Sequence, residues 1–329
     1  MNDLYPLIFV FLMALSMLIY VVLDGYDLGV GILLRRASDA HKDEMISSIG
    51  PFWDANETWL VLGVGILLVA FPQAHGVILG GLYLPVAFML IGLILRGVAF
   101  DFRVKAHDDH RKWWNRAFYA GSLLAAVSQG FMLGIYLLGF DYSFASVVFA
   151  AFVGLGLAAG YTLLGATWLI LKTENALLDR AVRWARGSLW LTGFGIVAVS
   201  VATPWVSSRI FDKWFSMPNL LLLAPIPLLT AVLFFACERQ LKHMIEGRPH
   251  RAWLPFASAV GLFVLAFVGL AYSLFPYLVV DRLTYLDAAT APESMKVMLI
   301  GIAITLPAIL GYTVYSYRVF WGKTRELSY

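Results

Sequence analysis

Residues 5–34 read YPLIFVFLMALSMLIYVVLDGYDLGVGILL, and the reading of this run decides the fold. At 1.5 Å per helical residue it is long enough to cross the roughly 30 Å hydrocarbon core of a bilayer. Two aspartates, Asp24 and Asp27, lie within it, ten and seven residues before its end at Leu34. That places them about 15 and 10 Å inside the span. Three residues apart, they share one helix face. Gly25, Gly29 and Gly31 surround them and permit close approach of a neighbouring helix.

Apolar runs of similar length recur to the other end of the chain. Nine spans are predicted: Tyr5–Leu34, Asp54–Phe71, Gly76–Phe100, Trp114–Gly139, Ala145–Leu171, Ala185–Val206, Leu220–Cys237, Trp253–Phe275 and Met295–Trp321. The second begins polar, and an eight-span reading drops it or fuses it with the third. The composition agrees with a membrane class. Of the 329 residues 60% are hydrophobic and 14% charged, against about 25% charged in soluble domains; the mean hydropathy is +0.78. The net charge of +3 points to basic loops rather than a nucleic-acid-binding face.

The distribution of Lys and Arg selects nine spans over eight. Alternate loops and the tail carry Arg35, Arg36 and Lys42; Arg103, Lys105, Arg111, Lys112 and Arg116; Lys172, Arg180, Arg183 and Arg186; Arg239, Lys242, Arg248 and Arg251; and Arg318, Lys323 and Arg325. These are nineteen of the 24 basic residues. By the positive-inside rule this set is cytoplasmic, so the N-terminus is expected outside and the C-terminus in the cytoplasm. Removing the second span would put the first basic loop on the wrong side. Trp113, Trp114, Trp205, Trp214, Trp253 and Trp321 fall near predicted span ends, as interfacial aromatics do. The N-terminus lacks the basic region and cleavage site of a signal peptide, so the first span is expected to be retained.

With depth assigned, three spans bring ionisable residues to the cytoplasmic half. Span 1 contributes Asp24 and Asp27. The second span opens with Trp53-Asp54-Ala55-Asn56-Glu57-Thr58-Trp59, and the third closes with Arg96-Gly97-Val98-Ala99-Phe100-Asp101-Phe102-Arg103. A charge at mid-bilayer costs roughly 3 kcal/mol on insertion scales, so such residues face the bundle interior and pair. The bland account has Arg96 neutralise one Asp while Asp54, Asp101 and Arg103 reach interfacial water. The functional account is a hydrated proton-conducting or ion-binding cluster. It is favoured because one arginine cannot neutralise several acids.

Other chemistry is thinly represented. His41, His75, His107, His110, His243 and His250 all fall in loops or at span ends, where they cannot serve as deep axial haem ligands. Cys237 stands alone, which excludes an internal disulfide and an iron–sulfur cluster held by this chain alone. No metal-ligand spacing or phosphate-binding loop occurs. The glycines at 154, 156 and 160 and the Gly165-Ala166-Thr167-Trp168 stretch read as helix packing. Asp281-Arg282 and Asp287 are expected at the outer surface. Membrane carboxylates also serve proton-coupled secondary transporters, but the broken-helix candidates Pro204, Pro225, Pro227 and Pro307 do not pair as inverted repeats would.

Five motifs in order carry a family resemblance. They are Asp24–Gly31, Pro51-Phe52-Trp53-Asp54-Ala55-Asn56-Glu57-Thr58-Trp59-Leu60, Arg96–Arg103, Gly165–Leu169, and Leu283–Thr290. Together they resemble subunit II of cytochrome bd-type quinol oxidases, including the cyanide-insensitive branch, across essentially the whole chain. The resemblance implies an all-α polytopic membrane protein of about nine transmembrane helices. These form two four-helix bundles, over 1–140 and 141–329, with one extra helix in the second part. It implies a heterodimer with subunit I, which holds two b-type haems and one d-type (or b-type) haem together with the quinol site, while this chain binds no haem. The holoenzyme oxidises quinol, reduces O₂ to water, and takes its protons from the cytoplasm of a bacterium without pumping. A small third subunit and a structural quinone, as in some members, stay open. By residue, Asp54 matches a carboxylate near the proton path, Asp24, Asp27 and Arg96 match its buried polar support, and Trp59 matches a position near the oxygen route. Glu57 stands where a familiar member has Gln, so the resemblance assigns it no role. Asp101 joins the candidates by depth alone.

Overall fold

The first span packs against several of the others. In a computed structural model it forms α1 (Leu4–Leu33), followed by a 3₁₀ turn and a short surface helix, α2 (Asp39–Ile49). The helices α3 (Trp53–Ala70), α4 (Pro72–Gly81), α5 (Tyr83–Lys105) and α6 (Asp108–Leu137) come next. After them run α7 (Phe144–Lys172), α8 (Asn175–Val206), α9 (Ser208–Phe215), α10 (Asn219–Leu223), α11 (Pro225–Ile245) and α12 (Trp253–Leu274). A small hairpin, β1 (Tyr277–Val279) and β2 (Leu283–Thr284), precedes α13 (Pro292–Val319). The structure describes residues 4–206 and 208–324, without the side chains of residues 104, 108, 109, 204–206 and 208. The expectations for Arg325 and for the side chains of Pro204 and Trp205 therefore lie outside the described residues.

Among the described residues nine helical segments are long and apolar enough to cross a membrane. Their order matches the nine predicted spans, with three shifts of boundary. The third span was expected from Gly76, but the chain breaks at Leu82 between α4 and α5. Pro72 starts α4, and Pro85 sits in the first turn of α5, where a missing N–H costs nothing. The sixth helix begins at Asn175, ten residues before the predicted Ala185. Its first turns are good helix formers despite their charges, so Arg180, Arg183 and Arg186 lie on a helix rather than in a loop. The seventh span divides at Ala224, ahead of Pro225.

Without a hydrophobic drive between helices in lipid, close backbone packing holds such bundles together. Every residue from Asp24 to Gly31 is buried. A Cβ at Gly29 would collide with the Tyr161 carbonyl, and one at Gly165 would strike the Gly29 backbone, so α1 and α7 touch main chain to main chain here. Gly165, Ala166, Thr167 and Trp168 are all in the core, as the packing reading expected. Trp168 stacks on Tyr26 at 4.2 Å between ring centroids. Beyond α7, α1 packs on α3, α6 and α12. At the end of the bundle away from the basic loops, the hairpin region closes over α1, α3 and α4. Leu278, Val279 and Ala288 cluster there with Phe9, Phe71 and Ala74. Asp281 and Asp287 are exposed on its outer side. α13 is peripheral: its most apolar stretch buries nothing within this chain.

Candidate functional site: a buried carboxylate–arginine cluster

Three helices converge on one guanidinium. Arg96, from the last turns of α5, is fully enclosed by α1 and α3. Its Nη1 lies 2.7 Å from Asp24 Oδ1, and its Nη2 donates to Glu57 Oε1. The Arg96 and Asp24 side chains are 1% and 0% exposed, whereas Glu57 is 32% exposed. Glu57 thus links the closed interior to the surface of the chain. The fork of the guanidinium explains how one cation serves two carboxylates. Trp53 covers the Arg96 face, 6.0 Å from the guanidinium carbon to the ring centroid.

Asp27 is equally buried but does not share this arginine. Asn56 Nδ2 donates to Asp27 Oδ2 at 2.7 Å and to the Tyr26 hydroxyl at 2.9 Å. The Tyr26 hydroxyl meets that of Tyr317, from α13, at 2.5 Å, and Tyr317 donates to Asn56 Oδ1 at 3.3 Å. On the far side of Asp24 a second polar string continues inward. Gln129 donates to Tyr20 at 2.7 Å and accepts from Tyr161 at 2.6 Å. Tyr20 is within electrostatic reach of Asp24. Buried polar atoms are normally hydrogen-bonded. Here Asp27 Oδ1, Arg96 Nε and Trp59 Nε1 have no hydrogen-bond partner among the described residues.

The predicted residues therefore separate into two groups. Asp24, Glu57 and Arg96 meet, and Asp27, held by Asn56, stands within their electrostatic reach. Asp54 and Asp101 stay outside, on the exposed faces of α3 and α5. Asp54 and Glu57 are three residues apart, yet the 60° between them on the helix puts Glu57 at the edge of the core and Asp54 on the outer face. The neighbouring rings of Trp53 and Phe100 pack at a tilt, their centroids 5.0 Å apart. Asp54 remains within electrostatic reach of both Asp101 and Arg96. Trp59 is buried, one turn beyond Asn56. The sequence reading passed over Asn56, Tyr20, Tyr26, Gln129, Tyr161 and Tyr317. Gln129 was visible as a lone amide in an apolar span, and Tyr20 as the residue one helical turn before Asp24. Tyr317 carries no sequence mark of its partner 291 positions away.

None of the six histidines is buried. Among the described residues no group of three or more His, Cys, Asp or Glu is placed to hold a metal ion. The polar core is thus one of carboxylates, amides and phenols, suited to holding or passing protons. A family model described as cytochrome bd terminal oxidase subunit II matches residues 5–320. The chain belongs to that family. Cytochrome bd ubiquinol oxidase subunit 2 of Bacillus subtilis is 30% identical, over 97% of this chain and 96% of that protein. Cytochrome bd-I ubiquinol oxidase subunit 2 of Escherichia coli is 27% identical, over 93% and 92% respectively. In three dimensions the chain superimposes on bd oxidase from Geobacillus thermodenitrificans with a TM-score of 0.78, covering 96% of this chain and 98% of that one, at 17% identity. That last likeness concerns the fold. This all-α multi-pass membrane protein is therefore subunit II of a cytochrome bd quinol oxidase, a respiratory terminal oxidase complex with a subunit I. Membership places the haems in the partner subunit. Nothing in the comparisons supports the secondary-transporter reading.

Proposed function

We propose that this chain scaffolds the haem-bearing subunit I and carries a cytoplasmic-side proton route for O₂ reduction, in which Asp54, Asp24 and Asp27 are the acids. Glu57 and Asp101 join them as entry groups, and Arg96 fixes the charge balance. The observation that carries this reading is the graded exposure along the cluster. Asp54 and Asp101 are at the surface, Glu57 is half-sheltered, and Asp24 is sealed, with Asp54, Glu57 and Asp24 all within the reach of one arginine. Membrane carboxylates arranged in that order are the usual means of bringing protons to a buried reaction. Trp59, buried beside this path, is assigned to the oxygen route.

The rest of the assignment follows the family. Subunit I holds two b-type haems and one d-type or b-type haem, and oxidises quinol on the outer side. Proton consumption from the cytoplasm then builds a proton-motive force without pumping. The N-terminus lies outside and the C-terminus in the cytoplasm, in keeping with the basic loops. The spans over 1–140 and 141–329 form two four-helix bundles, with α13 as the extra helix. In support, α1 packs on α3 and α6 and α5 on α6 in the first set, while α7 packs on α8 and α12 and α11 on α8 and α12 in the second. The test is to purify the chain by a tag from its own membrane and record a visible spectrum with quinol-driven oxygen uptake. A co-purifying haem subunit with oxidase activity is expected. A colourless chain that transports protons alone overturns the assignment.

A further inference from the structure

Far from the carboxylate cluster, α8 and α11 leave a cleft of about 530 Å³ lined by Arg183, Arg186, Gly187, Trp190 and Ile245. It lies on the basic-loop side of the membrane. Arg186 is the last charged residue on α8 before residues 187–208, which contain no charge at all. The two arginines are thus at headgroup level, where the hydrocarbon begins. The space beside Gly187 is open, and a Cβ there would meet nothing within 4 Å.

The charges of the cleft do not cancel. Glu238 of α11 faces Arg186 and holds it, with Arg186 Nε and Nη2 each 2.8 Å from Glu238 Oε1. Lys242 and Arg248 are taken up by Glu246. Arg183 is exposed, and no described residue pairs with it. One free guanidinium, beside a second one held in position, therefore overhangs an apolar wall. That wall continues along α8 through exposed Trp190, Phe194, Val197 and Val201, a single stripe of about 16 Å. Trp190 is braced edge-on by Phe234 at 5.2 Å.

We infer that this cleft binds an anionic phospholipid, its phosphodiester on Arg183 and Arg186 and one acyl chain along Trp190, Phe194, Val197 and Val201. The argument for a lipid over a protein segment is complementarity along the whole length. The site is cationic at headgroup depth and purely apolar below it, as basic pockets between transmembrane helices are when they take acidic lipids. A bidentate guanidinium matches phosphate geometry, and the tryptophan is at the interface where indoles settle.

The test is native mass spectrometry of the assembled oxidase titrated with phosphatidylglycerol or phosphatidylcholine. Variants R183Q and R116Q are measured beside wild type. Arg116 lies against another Trp, Trp113, with a guanidinium-to-ring distance of 5.1 Å, on α6 and outside the lining of this cleft. Wild type and R116Q are expected to bind phosphatidylglycerol alike and at least tenfold better than phosphatidylcholine, and R183Q is expected to lose about tenfold. Equal binding of the two lipids, unchanged binding by R183Q, or an equal loss in R116Q overturns the proposal. So does displacement of the lipid by glycerol phosphate at matched concentration, which would mean that the acyl chain contributes nothing. Absence of any lipid from the assembled complex would show the cleft to be covered by another subunit and would equally overturn it.

Discussion

Arg96 and Asp24 meet at 2.7 Å with both side chains shut off from solvent, tying α5 to α1. Removing one partner of a buried pair leaves an uncompensated charge, which costs about 3–5 kcal/mol. Arg96→Gln is therefore expected to reduce the yield and thermal stability of the assembled oxidase sharply. Arg96→Lys is expected to rescue it poorly, since a single ammonium cannot reproduce the fork between Asp24 and Glu57. Adding Asp24→Asn to Arg96→Gln should recover part of the loss. Melting curves of wild type, these three variants and Asp24→Asn alone check this; stabilities that simply add would show that the two residues do not act as a pair.

The α1–α7 contact makes a contrast between two glycines. Gly29→Ala puts a methyl group into the Tyr161 backbone, which cannot yield without separating the helices. Overpacking of this kind costs about 1–3 kcal/mol or more, and assembly is expected to fail or the complex to melt earlier. Gly65→Ala in α3 meets nothing within 4 Å and gains helix propensity. It is expected to be neutral or slightly stabilising. Expression and melting temperature of the pair decide the point.

α13 is tied to the core by few polar contacts, with the Tyr317 hydroxyl bound to both Tyr26 and Asn56. Tyr317→Phe keeps the ring and its packing on Phe52 but removes both bonds. A loss of about 1 kcal/mol is expected, read as faster hydrogen exchange in the inner half of α13 with little change in α1.

Outside the membrane, Asp141 accepts from Ser143 and Ser146 at the start of α7, and those donors hold its carboxyl below the usual carboxylate range. A group whose pKa is depressed by folding stabilises above its unfolded value, and that contribution fades as the pH falls through the lowered one. Asp141→Asn is therefore expected to reduce the order of the 138–144 turn at neutral pH and to make no difference in strong acid. Amide exchange of residues 143–147 across pH measures it.

How far the residues announced this structure depended on the range of the interaction. The spans, their count and the packing role of Gly29 and Gly165 were legible because hydropathy and small-residue spacing are local. So was the inward aim of Asp24, Asp27 and Arg96, since charge in lipid must turn inward. The breaks at Leu82 and Ala224 were not, because a proline marks a helix start as readily as a bend. The separation of Asp54 from Glu57 turned on 60° of helix rotation, which residue spacing alone does not orient. Tyr317 and Asn56 could not have been paired from the sequence, since only the fold brings α13 across α3.

If protons enter by the carboxylates of this subunit, as proposed, Asp54 is an acid on their way in that solvent reaches directly. Asp54 lies on the outer face of α3, so Asp54→Asn removes a charge without opening the core. The measurement is quinol-driven oxygen consumption per haem by the assembled Asp54→Asn enzyme. At least a tenfold loss is expected with haem content and spectrum unchanged. Wild-type turnover at full haem content would contradict the proton route.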